Sequence, residues 1–161
     1  MIKVSITGID QVLNRLRGMP AKLSPAVRQG MSDFESNVRN DTIPNAPIDT
    51  GNLRKSYYAV CDTAVIYGAN PSFVEKKGRR ARNSRTRMST DHHAALANAI
   101  SGTNYVMSGV ALIIGYSAYY APIVHDFNKT GSPLFFQNSV EKNKSGLRLH
   151  ILNRMSTKGI I

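Results

Sequence analysis

Tryptophan is absent from this chain of 161 residues, and cysteine occurs once, as Cys61. A single thiol excludes an intrachain disulfide, and nothing in the cysteine usage argues against a reducing cytoplasm. Acidic residues are scarce. Ten Asp and Glu stand against 21 Lys and Arg, for a net charge of +11 and a pI of about 10.1. That balance implies attraction to polyanions, either nucleic acid or acidic faces of partner proteins. Long hydrophobic runs are missing too. None approaches the roughly 20 apolar residues of a membrane span, so no membrane partner is expected. The start, Met1-Ile2-Lys3-Val4-Ser5, lacks a charged segment followed by an apolar one, so no secretion signal is expected.

Catalytic signatures are equally thin. There is no Gly-x-Ser-x-Gly elbow, no P-loop and no dinucleotide fingerprint. His92 and His93 are adjacent. On a helix they point about 100° apart, whereas metal pairs prefer i, i+4 spacing. His125-Asp126 and His150 lie far off with no convergent pattern. No enzyme, metal or cofactor is therefore expected, and both histidines read as solvent-exposed residues near a helix start. Cys61, on an apolar strand, reads as a small core residue rather than a nucleophile.

What is present is a legible alternation of helix and strand signals. Length predicts one domain over 1–161, able to bury about two thirds of its unfolded surface. Ile2, Val4 and Ile6 alternate with polar residues, which predicts a strand. A short helix should open at Ile9-Asp10 and stop at Gly18, before Pro20. Ser24-Pro25 carries the cap-plus-proline signature of a second helix. Its stripe is Val27, Met31, Phe34 and Val38, and it should run to about Asp41 and then meet Pro44. The chain then stops, turns and restarts. Pro44 and Pro47 cannot continue a helix. Asp49 and Thr50 can bond local amides, and Gly51 can take a positive φ.

From Ser56 to Ala69 the chain reads as strand. One long, bulged strand is preferred over two strands joined by a turn at Asp62-Thr63. Residues 70–104 open with a basic segment holding Lys76, Lys77, Arg79, Arg80, Arg82, Arg85 and Arg87. Its near-absence of apolar side chains predicts a mobile loop. A short helix should follow over 90–100, ended by Gly102. Tyr105–Tyr116 is the second long strand, expected antiparallel to 57–67. Tyr119–Val124 begins a short helix. Ser132-Pro133 repeats the cap signature ahead of a long C-terminal helix with the stripe Phe136, Val140, Leu147, Ile151 and Met155, weakened at Gly146. The tail from Ser156 should fray or dock on a partner. The layout predicts an α+β fold: a small antiparallel sheet with a long β-hairpin, helices packed on one face, and a long C-terminal helix.

Three words in this layout carry a resemblance. They are Ala46-Pro47-Ile48-Asp49-Thr50-Gly51-Asn52-Leu53-Arg54-Lys55-Ser56, then Tyr120-Ala121-Pro122-Ile123-Val124-His125-Asp126, then Ser132-Pro133-Leu134-Phe135-Phe136. In this order they resemble the signature of a phage family of tail-completion or head–tail joining proteins, often labelled minor capsid or tail component. The resemblance covers most of the chain except 70–104, which reads as an insertion. One departure stands out. The family carries Glu-x-Gly-Thr after its Tyr-Ala word, and here the residues are His125-Asp126-Phe127-Asn128.

The resemblance implies a structural virion protein without catalysis. It implies a ring, hexameric by family analogy, in the neck or at the head-proximal end of the tail. Its neighbours would be portal or head-closure proteins and the tail tube or tail terminator. It assigns Pro47, Asp49, Thr50, Gly51, Leu53 and Arg54 to a turn that sets hairpin geometry, with Arg54 and Lys55 facing a partner. Tyr120, Ala121 and Pro122 form the second family word. For the basic segment three readings stand open: a solvated charge run, contact with phosphates of packaged double-stranded DNA, or docking on an acidic protein surface. No aromatics interleave it, so base stacking is not expected. A free, sequence-independent DNA-binding protein is the alternative class. A small hydrolase or nuclease rests only on scattered His and Asp residues.

Overall fold

The computed structural model describes residues 9–48, 51–75, 84–104, 110–127 and 133–160. The expected strand at 2–6, Asp49, Thr50, most of the basic segment and Ser132 lie outside them. The elements are α1 (Ile9–Asn45), α2 (Asn52–Lys55), β1 (Tyr57–Cys61), β2 (Ala64–Tyr67), α3 (Ser84–Asn104), β3 (Leu112–Tyr116), α4 (Ala121–Phe127) and α5 (Phe135–Thr157). The fold is α+β, with a small three-stranded antiparallel sheet and a long C-terminal helix.

Helix α1 corrects the first sequence expectation. It is one helix of 37 residues, not two. Gly18, Pro20, Pro25 and Pro44 all lie inside it, so Pro44 does not stop the helix as expected. Each proline removes one amide donor, but its ring-fixed φ is compatible with a helix. From Ala26 onward the packing of a buried face stabilises the helix. Ala26, Gly30, Phe34, Val38 and Thr42 are all buried. They repeat every four residues, one row on one face. The expected stripe is thus shared with small residues, and Val27 and Met31 are only half-buried.

Helix α5 runs antiparallel to α1, as three cross-pairs show. Arg154 donates from Nε to Asp33 at 2.7 Å and from a terminal nitrogen at 2.9 Å. Asn37 meets His150 at 2.9 Å. Asn143 and Lys142 donate to Asp41 at 2.7 and 3.0 Å. Between them the backbones nearly touch. A Cβ on Gly30 would lie 2.7 Å from Ile151 Cα, so this crossing requires glycine. The helix begins at Phe135, after Leu134 in the left-handed region (φ 55°), not on the Ser132-Pro133 signature. It continues through Gly146. Phe135 and Ser139 are its buried residues, and the expected stripe from Phe136 to Met155 is half-buried.

The single long strand expected over 56–69 is a tight hairpin instead. Asp62 and Thr63 have φ of 51° and 73°, positive at both central residues, as a two-residue hairpin turn demands. Asp tolerates this conformation. Thr63 is β-branched and strained there, and its surroundings hold it. The Thr63 amide donates to Thr103 Oγ1 at 3.0 Å and the Asp62 amide to the Ala111 carbonyl at 2.9 Å. The sheet order is β2-β1-β3. Strand β1 pairs antiparallel with β3 from Tyr57–Tyr116 to Cys61–Leu112, as expected for that part of the second strand. Residues 105–109 lie outside the described residues.

Helices cover both faces of the sheet rather than one. Val60, with Tyr58, Val65 and Ile113 beside it, packs with Leu96, Ala99 and Ile100 of α3. Successive residues of a strand alternate faces. Tyr57 accordingly turns the other way, toward Glu35 of α1, and Tyr116 on the same face meets Thr42 of α1 at 3.3 Å. Helix α3 also begins earlier than expected, at Ser84, so Arg85 and Arg87 sit on a helix rather than in a loop.

Candidate functional site

The word at 46–56 forms a corner. Gly51 takes a φ of 74° and leads into the single turn of α2, as its freedom at positive φ allows. Asn52 is buried and pairs with Val74 like a strand neighbour. Its side-chain amide donates to the Val74 carbonyl at 2.7 Å and accepts from the Val74 amide at 2.8 Å. Leu53 enters the core. Arg54 turns back on α1, donating to the Ala46 carbonyl at 2.8 Å and the Pro44 carbonyl at 2.6 Å. The last carbonyls of a helix lack intrahelical partners, and the planar guanidinium fork reaches two acceptors at once. Arg54 is thereby engaged inside the fold, whereas Lys55 is exposed. Pro47 is half-buried.

The second and third words meet the first. Ala46, Leu53, Ala121 and Phe135 belong to one core cluster with Phe73, Met88 and Ala118, and Tyr120, Val124 and Phe136 pack against it. Within the second word, Ala121 is buried and Pro122 exposed. The departure at His125-Asp126 forms a local pair at 2.8 Å. The His125 carbonyl also accepts from the Leu134 amide at 2.9 Å, tying α4 to the start of α5.

Of the basic segment, Lys76, Lys77, Arg79, Arg80 and Arg82 lie outside the described residues. Arg87 is held by its own fold: Asp91 lies 3.7 Å from its Nε, and its guanidinium stacks 4.1 Å over the exposed Tyr119 ring. Arg85 is exposed.

His92 overturns the expectation of an exposed histidine. It is fully buried, while His93 is exposed. His92 Nε2 bonds the Gly68 carbonyl and must therefore carry the proton. Nδ1 then accepts from the Ser117 hydroxyl at 2.7 Å. Burial pushes its pKa below the ordinary value, which keeps the ring neutral. The ring ties α3 to the ends of β2 and β3. Gly68 has a φ of 75°, and a Cβ there would sit 2.4 Å from the Tyr57 carbonyl. The available signal was spacing: His92, Leu96 and Ala99 fall at i, i+4 and i+7, one face of a helix.

On the other side of the sheet, Glu35 is buried with its Oε1 3.5 Å from Arg39 Nε. Burial raises its carboxyl above the usual range, with Arg39 opposing. Burial also raises the Tyr57 hydroxyl and pushes Tyr116 up to about 12. Cys61 is buried and its thiol raised by the same cause. Among the described residues, no group of three or more His, Cys, Asp or Glu is placed to hold a metal ion. No described helix is long and apolar enough to cross a membrane. No protein-family profile, curated protein or solved structure matches the chain.

Proposed function

We propose that the chain is a structural subunit of a tailed-phage particle, a tail-completion or head–tail joining protein that assembles as a ring in the neck. The observation that carries this reading is the convergence of the three words. They are separated by up to about ninety residues, yet Ala46, Leu53, Ala121 and Phe135 share one core. They behave as parts of one framework, which is what the ordered resemblance requires. On this reading the protein performs no catalysis. It forms interfaces with portal or head-closure proteins on one side and tail tube or terminator proteins on the other. Apolar side chains left in solvent support lateral association. Leu149 and Leu152 are exposed on α5, Ile66 and Tyr67 on the edge strand β2, and Ile123 on α4. A ring contact is heterologous and must close by rotation, so different faces of one subunit would meet.

The test is electron microscopy of lysates from a virus lacking this gene. Full heads and separate, unjoined tails are the expected result. Normal joined particles would overturn the reading and leave the second one, a free DNA-binding protein. The net charge of +11 favours that alternative. It is checked separately by duplex binding of the purified protein.

A further inference from the structure

A cleft of about 230 Å³ opens where the segment after β2 crosses the first turns of α3. Its polar side chains are Asn70 and Ser72 from the segment, and Arg85, Ser89 and His93 from the helix. Arg85, Ser89 and His93 follow one another at four-residue steps, one row along α3. Buried Phe73 and His92 line it from the protein side. No carboxylate is among the lining residues.

Among the described residues these donors are not engaged elsewhere. Arg28 pairs with Asp62, Arg54 with two carbonyls, Arg87 with Asp91 and Tyr119, and Arg154 with Asp33. Arg85 faces no acid among the described residues, and Asn70, Ser72 and Ser89 make no side-chain hydrogen bond with them. A guanidinium fork, two hydroxyls and a side-chain amide around one space match a ligand with several acceptor oxygens and negative charge. The volume lies below the roughly 300–1,000 Å³ of pockets that hold drug-sized ligands, so the occupant is a group rather than a whole cofactor. We propose that this cleft is a phosphate-binding site, seating either a backbone phosphate of nucleic acid or free phosphate.

The proposal stands apart from the phage reading: the cleft can fail with tails still unjoined in the deletion, and the reverse. The full-length protein is titrated with inorganic phosphate, followed by phosphorus NMR line broadening. It is also titrated with a labelled 20-base-pair duplex across about 50–200 mM salt. The variants are Arg85→Ala, Ser89→Ala and, as a charge-matched control, Arg148→Ala on the exposed side of α5. A backbone seat predicts that Arg85→Ala removes the phosphate broadening, weakens duplex binding about tenfold and lowers the salt slope by about 1. Ser89→Ala should weaken both without changing charge, and Arg148→Ala should change duplex binding less than twofold. Loss of phosphate binding alone, with duplex binding intact, identifies free phosphate as the source. Equal effects of Arg85→Ala and Arg148→Ala would mean diffuse attraction and overturn the proposal. So would wild-type protein that binds neither probe.

Discussion

At the scale of single residues, two glycines separate steric need from backbone freedom. Gly30 sits where α1 meets Ile151, and a Cβ there would overlap backbone at 2.7 Å. Gly146 lies inside α5, where a Cβ would meet only the His150 ring at 3.5 Å, an ordinary contact. Gly30→Ala should therefore destabilise by about 1–3 kcal/mol, as overpacking does. Gly146→Ala should stabilise by about 0.5–1 kcal/mol, because alanine favours helix over glycine. Urea denaturation of both variants checks this, and the same sign for both would refute it. Sequence marked Gly146 as a weak point in a helix, correctly in propensity terms. It could not mark Gly30, whose constraint comes from a helix more than a hundred residues away.

At the scale of elements, the corner formed by α2 fastens the end of α1 to the start of β1. Its hydrogen bonds run from Arg54 to Pro44 and Ala46, and from Asn52 to Val74. Arg54→Ala should cost about 1.5–3 kcal/mol, the range for hydrogen bonds from charged groups. Arg54→Lys should recover less than half of that, since an ammonium cannot reproduce the fork. Thermal unfolding by circular dichroism reads both, and full rescue by lysine would show that charge alone suffices. The turn itself was legible, since Pro47 and Gly51 announce a stop and a positive φ. The hairpin turn at Asp62-Thr63 is not what local sequence favours. Threonine at φ 73° is unfavourable alone, and it is held by Thr103 and Ala111, which local sequence does not bring near.

At the scale of the whole molecule, acidification should act in separate windows. His92 has a folded pKa below its ordinary 6.5. The unfolded chain then takes up its proton first, so the His92 contribution is full above pH 6.5 and is lost as pH falls toward the folded value. Asp33 and Asp41 are lowered from 3.8, first by the hydrogen bonds from Arg154 and Asn143 respectively. Their contribution is present above about pH 3.8 and is lost below it. Glu35 acts in the opposite sense. Its raised carboxyl favours the protonated folded form, so its cost appears as pH rises above 4.5. Melting temperature should fall from pH 7 to 5.5, and His92→Gln should flatten that slope. An unchanged slope in the variant would remove His92 as the cause.

By itself the sequence marked the local grammar: helical stretches over 24–41 and 133–155, strand character within 56–69 and 105–116 with antiparallel pairing, a turn at 47–51, and a strongly basic composition. Periodicity and turn chemistry act within a few residues, so a single chain reveals them. The tertiary structure alone decided that α1 runs unbroken through Pro20 and Pro25 and that its buried row falls on Ala26, Gly30, Phe34, Val38 and Thr42. It also decided that helices cover both faces of the sheet, that His92 lies inside, and that Arg85 faces a cleft while Arg87 is engaged. Each of these depends on which distant segment supplies the neighbouring surface, and burial and hydrogen-bond partners are fixed only when those segments meet.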